Sequence, residues 1–408
     1  MNCNELNQNL SKLYKLRDDL RSKIDSAIES GVGKQEIIAT QQELSNLSDS
    51  ILTNYLSDFG TIFPGISGWE SGKNIEEIKE TVFAVTQFSD NQFMVGVNGG
   101  LKIFTNSPDG NLEFNGMIKG FGKHVTAITS ISDSQLLIGE RDNSKRGELR
   151  ILNKTSDGEW KFDSEIRGID HGIEIIAPLS DDYFVVGEYE TGRLKIFTKS
   201  RIGELERWEL YEEIDGFQTG SVRAIVQLSD NQFAVGGGKG GLRILTKSKL
   251  QHYDWWEIGE IIGGFDHSIH AIVPLSDNQF AVGGGDYSGM LKILTKSQDG
   301  EWELNEEITG FGGPIFAITP LPNNQFAVGG GFFSSELRIL AKSKEGKWEF
   351  GEEIRGFESD DGICTIAPLP GNQFAIGGID GGLKTLTSIP LTPESLKQAI
   401  MNGWITVP

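Results

Sequence analysis

The chain has 408 residues, of which 58 are acidic and 37 basic, and its formal net charge is −21. A balance this acidic repels nucleic acid and anionic membrane surfaces, because both bind through basic patches. Two cysteines, Cys3 and Cys364, leave no disulfide framework and no cysteine-built zinc site. No run of 18 apolar residues is present to span a bilayer. The polar start over residues 1–9 lacks an apolar signal core, so a soluble cytoplasmic protein is expected.

Residues 1–58 read as helix. Leu6, Leu10, Leu13, Leu20, Ile24 and Ile28 recur at spacings that share one helical face. After Gly31 and Gly33, a second apolar set follows at Ile37, Leu44, Leu47, Ile51 and Tyr55. The pattern predicts an α-helical hairpin, coiled-coil-like. Two helices bury too little apolar surface to stand alone. The hairpin therefore packs on the rest of the chain, self-associates or meets a partner. Residues 59–68 form a linker.

From residue 69 to 388 the chain repeats itself. A Gln-Phe pair or its equivalent falls at Gln92-Phe93, Gln135-Leu136, Tyr183-Phe184, Gln232-Phe233, Gln279-Phe280, Gln325-Phe326 and Gln373-Phe374, with spacings of 43, 48, 49, 47, 46 and 48 residues. Each repeat shows four short strand signals. Over 268–311, apolar strands are separated by turns at Asp277-Asn278, Tyr287-Ser288-Gly289 and Asp299-Gly300. A period in the forties built from four strands predicts an all-β, seven-bladed β-propeller with four-stranded blades. Glycine is abundant, 52 residues, and sits at fixed repeat positions that mark turns and close strand packing. The fourth strand carries a tryptophan at Trp160, Trp208, Trp256, Trp302 and Trp348, with Leu112 in its place once. The seventh copy lies upstream, at Trp69-Glu70, so the ring is expected to close by an N-terminal strand that completes the last blade. A short helix over 393–402, behind Thr392-Pro393, is expected within the tail 389–408.

The order of these elements resembles the WD-repeat propeller family: a glycine-ended outer strand, an inner strand, a Ser-Asp turn, a small-residue strand, then Leu149-Arg150-Ile151-Leu152, Leu242-Arg243-Ile244-Leu245 or Leu337-Arg338-Ile339-Leu340. The resemblance spans about four-fifths of the chain. Two positions depart from the family pattern. The family's Gly-His is Gly-Phe here (Gly216-Phe217, Gly264-Phe265, Gly310-Phe311, Gly356-Phe357), and its Trp-Asp is replaced by pairs such as Thr246-Lys247 and Thr295-Lys296. The hydrogen-bonded His/Asp/Trp network that steadies many members is therefore absent. The resemblance implies partner contacts on the narrow face, around the channel mouth.

Comparison of the seven copies separates scaffold from surface. Within the inner-strand pattern apolar-x-Ala-Ile, the x residue changes in every blade: Phe83, Thr126, Glu174, Arg223, His270, Phe316 and Cys364. Together with the turn residues Tyr189, Lys239, Tyr287, Phe332 and Phe333, it is the candidate recognition surface, since aromatics and arginine dominate interface energy. The constant strand-three cations (Lys102, Arg150, Lys195, Arg243, Lys292, Arg338, Lys384) read as structural, paired across strands with Glu113, Glu209, Glu257, Glu303 and Glu349. The dipeptides Glu212-Glu213, Glu306-Glu307 and Glu352-Glu353 read as edge charges against aggregation. His267 and His270, with Asp266 and Asp286, are weak candidates for a metal, in one blade only. No phosphate-cradle, dinucleotide, zinc-protease or nucleophile-elbow motif occurs, and no cofactor is expected.

These readings converge on a non-enzymatic scaffold. The propeller would bind a protein or peptide partner in a larger complex, and the hairpin would tether it there, without direct nucleic-acid contact or membrane insertion. Two alternatives stand beside it. A hydrolase or lyase at the channel mouth would use Glu174, Arg223 and His270. A carbohydrate-binding propeller would show similar aromatic pockets in each blade, whereas the x residues differ.

Overall fold

The computed structural model describes residues 67–106, 112–202, 205–217, 220–238, 241–250, 253–276, 278–322, 324–331, 336–342, 346–354, 362–369, 373–378 and 382–390. The hairpin expected over 1–58, most of the 59–68 linker and the tail helix expected over 393–402 lie outside them. Trp69–Ser388 forms one compact unit. Among the described residues the regular elements are strands, and no helix is long and apolar enough to cross a membrane.

The sheet that begins at Ile269–Ser276 shows the building plan. It continues through Gln279–Gly284, Met290–Lys296 and Trp302–Ile308, each antiparallel to the one before. Phe280, Ala281, Val282 and Leu291 are fully buried, so the sheet is covered on both faces. The last hairpin turns at Asp299-Gly300, where Gly300 takes a φ of 88° that a β-carbon would resist. Three further sheets repeat the order: from Ile173–Ser180 to Leu205–Ile214, from Val222–Ser229 to Tyr253–Ile262, and from Ile315–Leu321 to Trp348–Ile354.

The fifth four-stranded sheet joins the two ends of the unit. Ile363–Leu369, Gln373–Gly378 and Leu383–Pro390 are followed in space by Ser67–Asn74. Trp69 packs edge-on against Phe374 at 5.6 Å between centroids, as Trp208 does on Phe184, Trp256 on Phe233, Trp302 on Phe280 and Trp348 on Phe326. The N-terminal tryptophan thus occupies the outer-strand place that the sequence assigned to it. The closing strand starts at Ser67, two residues inside the expected linker.

One expectation is corrected. Separate four-stranded sheets were expected throughout, but the strands Ala84–Ser89, Gln92–Asn106, Leu112–Ser132, Gln135–Arg141, Gly147–Lys154 and Trp160–Ile166 form a single six-stranded sheet. Two of its strands are long enough to serve neighbours at both ends. Gln92–Asn106 pairs first with Ala84–Ser89 and then, beyond a register shift at Asn98/Gly100, with the start of Leu112–Ser132. The far end of Leu112–Ser132 pairs with Gln135–Arg141. Here the chain runs on without the loops that divide the other sheets.

The first strands touch in a cycle. In order they begin at Ala84, at the second half of Leu112–Ser132, and at Ile173, Val222, Ile269, Ile315 and Ile363, and the last returns to the first. A glycine at each contact explains the fit. A β-carbon on Gly139 would stand 2.5 Å from Ile173 Cγ2, one on Gly187 2.8 Å from Val222 Cγ1, one on Gly236 2.3 Å from Ile269 Cγ2, and one on Gly283 2.6 Å from Ile315 Cγ2. Gly329 meets Ile363 and Gly377 meets Val82 in the same way, each at 2.6 Å. Gly96 meets Val125, whose Cγ1 is 3.0 Å away. Each β-branched partner is buried.

Side chains tie the sheets further out. Gln279 Nε2 donates to Thr295 Oγ1 in its own sheet (3.0 Å), while its Oε1 accepts from Lys342 of the next (3.2 Å). Gln232 does the same with Thr246 and Lys296, and Gln373 with Thr387 and Asn106. Two of the Glu-Glu dipeptides, Glu212-Glu213 and Glu306-Glu307, also act as ties. Glu212 accepts from the backbone N–H of Trp256 in the next sheet, and Glu306 from that of Trp348. Their second members lie opposite the strand-three cations: Lys195 pairs in register with Glu213 and Lys292 with Glu307. The expected partners Glu209, Glu257 and Glu303 lie opposite Thr198, Thr246 and Thr295 instead, and Glu113 and Glu349 opposite Thr105 and Ala341. A register shift in the outer pairing moves the cation's partner along the strand.

Two outcomes are expected in urea unfolding. Gly236→Val forces a branched side chain into the Ile269 contact and should cost about 1–3 kcal/mol or more, the usual range for overpacking. Trp69→Ala removes the closing strand's anchor and should cost about 3–5 kcal/mol. A midpoint unchanged in either variant would contradict the closure described above.

Candidate functional site

The variable residue of each first strand occupies a special backbone position. In the sheet that starts at Val222, Val222 lies opposite Gly237 and Ala224 opposite Gly236, so Arg223 is an extra residue in the ladder. The same shift brackets Thr126, Glu174, His270, Phe316 and Cys364. A bulge of this kind frees one residue from strand pairing and re-aims its side chain, and bulges recur at barrel rims and beside binding sites. Phe83 stands just before its strand and donates its backbone N–H to Gly96 O. All seven x residues are half-buried, and each follows directly the β-branched residue that locks against a glycine.

Contacts link these residues around the ring. Arg223 Nη1 lies 3.0 Å from His270 Nδ1, and the His270 ring meets Phe316 edge-on at 4.9 Å. Phe83 stacks obliquely on His124 at 5.3 Å, and His124 also bonds Asn98 and Asn143. Thr126 donates to Ile173 O (2.6 Å) and Cys364 Sγ to Val82 O (2.9 Å), each reaching the neighbouring first strand. Glu174 is paired with Arg141 at 2.6 Å, and the Arg141 guanidinium lies 4.0 Å over the Tyr189 ring.

The electrostatics follow from this packing. Burial pushes the Glu174 carboxyl above its ordinary value, against the pull of Arg141 and Arg223. Burial first, and then the adjacent Arg223 charge, hold His270 down at about 4. Neutral His270 satisfies both contacts at once: Nε2–H donates to Gly285 O at 3.2 Å and Nδ1 accepts from Arg223. Burial pushes the Cys364 thiol up to about 12, so it is protonated and unreactive. Below the rim, Lys195 is 1% exposed and held by Glu188 and Asp170, each at 3.1 Å.

The structure brings most of the sequence candidates together, but not all. Tyr287 is 89% exposed on a turn. Lys239, Phe332 and Phe333 lie outside the described residues. The weak metal set does not assemble: His267 Nδ1 pairs with Asp286 at 3.1 Å, while His270 turns to Arg223 and Gly285. Among the described residues no group of three or more His, Cys, Asp or Glu side chains is arranged to hold a metal. Arg141 is a rim residue that sequence reasoning missed. Its signal was visible, since Gly139-Glu140-Arg141 and Gly187-Glu188-Tyr189 stand where Gly236-Gly237-Gly238, Gly283-Gly284-Gly285 and Gly329-Gly330-Gly331 stand in other copies.

Chemically, the polar groups here are held by their neighbours. Both His270 nitrogens are engaged, Glu174 is held by a guanidinium, and among the described residues no hydroxyl or thiol lies within hydrogen-bond reach of His270. An acid/base pair needs a nucleophile and an available nitrogen or oxygen to act on it.

No protein-family model matches the chain, and no curated protein matches it. Among solved structures, 893 chains match. One is the crystal structure of the WD40 beta propeller domain of Doa1, with a TM-score of 0.60 and 13% identity over 79% of this chain and 97% of that one. At that identity the likeness shows the fold alone, and the fold is an all-β β-propeller.

His270 supplies a check on the rim. Its histidine-specific NMR signal should titrate near pH 4 rather than at the ordinary 6.5. The folded value lies below the unfolded one, so this group's contribution to stability is complete above pH 6.5 and is lost as pH falls towards 4. Arg223→Met should raise the His270 value part of the way, since burial is the larger cause. Titration of the wild-type residue near its ordinary value would show that His270 is not buried in this position.

Proposed function

We propose that this chain is a non-enzymatic interaction propeller of seven blades, whose inner rim grips a protein or peptide partner. In this reading the six-stranded sheet is two blades joined through their long strands. The helices expected over 1–58 tether the propeller to a larger cytoplasmic assembly. The observation that carries the reading is the bulged x residue. Six copies of the fold lift one residue out of the ladder at the same place, the surrounding frame stays constant, and the chemistry of that residue changes each time. A scaffold alone does not need a different side chain at every copy. The likeness to a WD40 propeller adds a fold that presents a large preformed surface, and function on such a fold resides in that surface.

The test is capture of partners by the full chain from its native cells. Arg223→Glu combined with Phe316→Ala should remove the captured proteins while the unfolding midpoint stays near the wild-type value. Capture that survives both changes overturns the rim as the binding surface. A chain that starts at Gly65 keeps the Trp69 closing strand and separates the two roles. Loss of partners there assigns the tether to residues 1–58.

A further inference from the structure

The rim is not uniform around its circumference. Taken in cyclic order, Phe316, Cys364 and Phe83 are consecutive, and after Thr126 come Glu174, Arg223 and His270. One arc is apolar and the other is charged. On the charged arc Glu174 is matched by Arg141, whose guanidinium is also stacked on Tyr189. Arg223 is not matched. Among the described residues its hydrogen-bond partner is the His270 ring, no carboxylate stands within ion-pair distance, and its buried Nε has no acceptor. His270 is uncharged near neutral pH and adds no second positive charge there. A guanidinium carries five donors in a planar fork that fits a carboxylate. Phe316 touches the same His270 ring, so the apolar arc begins one residue from the unmatched charge.

We infer that the rim takes a ligand with a single carboxylate beside an aromatic or bulky apolar group, the carboxylate on Arg223 and the apolar group on the arc of Phe316, Cys364 and Phe83. This inference rests on the rim being the binding surface. The remaining charge of the chain sharpens it. A protein of net charge −21 opposes polyanions at long range, so one locally read carboxylate fits where a phosphate-rich ligand does not. A cationic ligand finds no open anion at this place, because Arg141 already covers Glu174. The carboxylate can belong to a chain terminus or to an Asp or Glu side chain, and the two sources are separable.

Three short peptides probe the full-length chain by calorimetry near pH 7: acetyl-Ala-Ala-Phe with a free carboxylate, the same peptide as its amide, and acetyl-Ala-Asp-Phe amide. At least one carboxylate-bearing peptide should bind about tenfold more tightly than the plain amide, as expected for a charge-assisted pair. The free acid alone identifies a chain terminus, and the Asp peptide identifies a side chain. Arg223→Met should erase the preference, and Arg223→Lys should keep part of it. The fold of each variant is checked by its unfolding midpoint. Equal binding of acid and amide, a preference that persists in Arg223→Met, or no binding by any of the three overturns the inference. If partner capture still depends on Arg223 and Phe316, such a result leaves the rim as a binding surface and removes only the carboxylate. Capture indifferent to both residues removes the surface itself.

Discussion

The contact between a glycine on each second strand and a β-branched residue on the neighbouring first strand governs the rest of this fold. It recurs from Gly96 against Val125 round to Gly377 against Val82, and a β-carbon at most of these glycines would stand 2.3 to 2.8 Å from a partner atom. Protein interiors are packed like organic crystals, so a gap or an overlap of one methyl group is felt. The glycine sets how closely two sheets approach, and the repetition of that one distance makes the sheets turn at a common angle and meet. The same contact fixes the place of the bulged residue. Arg223 follows Val222 and His270 follows Ile269, so the lock determines where each bulged side chain leaves the backbone. Architecture and site share one constraint.

Further from the axis, the fold uses a network of its own. The Gln-Thr-Lys relay places one glutamine amide between two sheets: Gln279 gives its N–H to Thr295 and takes a proton donor from Lys342. Glu306 does the same for the outer strands by accepting from the Trp348 backbone. Individually such half-exposed bonds contribute about 0.5–1.5 kcal/mol. Their value lies in repetition, because each joins elements distant in sequence, and Asn106 with Gln373 joins the two ends of the ring. Where the WD-repeat pattern would put Trp-Asp, Thr295-Lys296 and its counterparts perform the joining by different chemistry.

Much of the architecture was legible because the repeat supplied its own alignment. The strand Gln279–Gly284 begins and ends where its pattern predicted, and Trp69 could be assigned to the last sheet because the tryptophan count was one short. What escaped the sequence depends on register. A bulge adds no residue type, only an offset between two strands, so the frame of Val222 and Ala224 around Arg223 was visible as variation but not as geometry. The offset in the outer pairing likewise hid which residue lies opposite Lys195, which is Glu213 rather than Glu209. The merged sheet was missed for a related reason. The repeat period placed a blade boundary in this stretch, yet the pairing of Gln92–Asn106 continues past a register shift at Asn98/Gly100 into Leu112–Ser132. Arg141 was legible only as a departure from the Gly-Gly-Gly of other copies, and departures from a repeat proved to be the places where the rim acquires charge.

That last point bears on how charge is distributed around the rim. In the copies with three glycines the end of the second strand carries no side chain, and the x residues Arg223, His270 and Phe316 meet one another instead. In the two copies where Glu140-Arg141 and Glu188-Tyr189 intervene, the buried glutamates Glu140 and Glu188 are neutralised from below by Arg150 and Lys195, and Arg141 and Tyr189 are carried up to the rim beside Glu174. Burying an ion pair costs desolvation that its attraction barely repays, so the pair adds little stability for its trouble. Arg141 follows Glu140 directly in the strand and occupies Glu174, stacked on Tyr189. The carboxylate that could otherwise have balanced Arg223 is thereby engaged, and the surplus of positive charge at one point of an acidic protein is a consequence of that sequence of pairings. Here each proton-bearing group is committed to a neighbour, and the charge left over is a guanidinium, which binds anions and does not titrate.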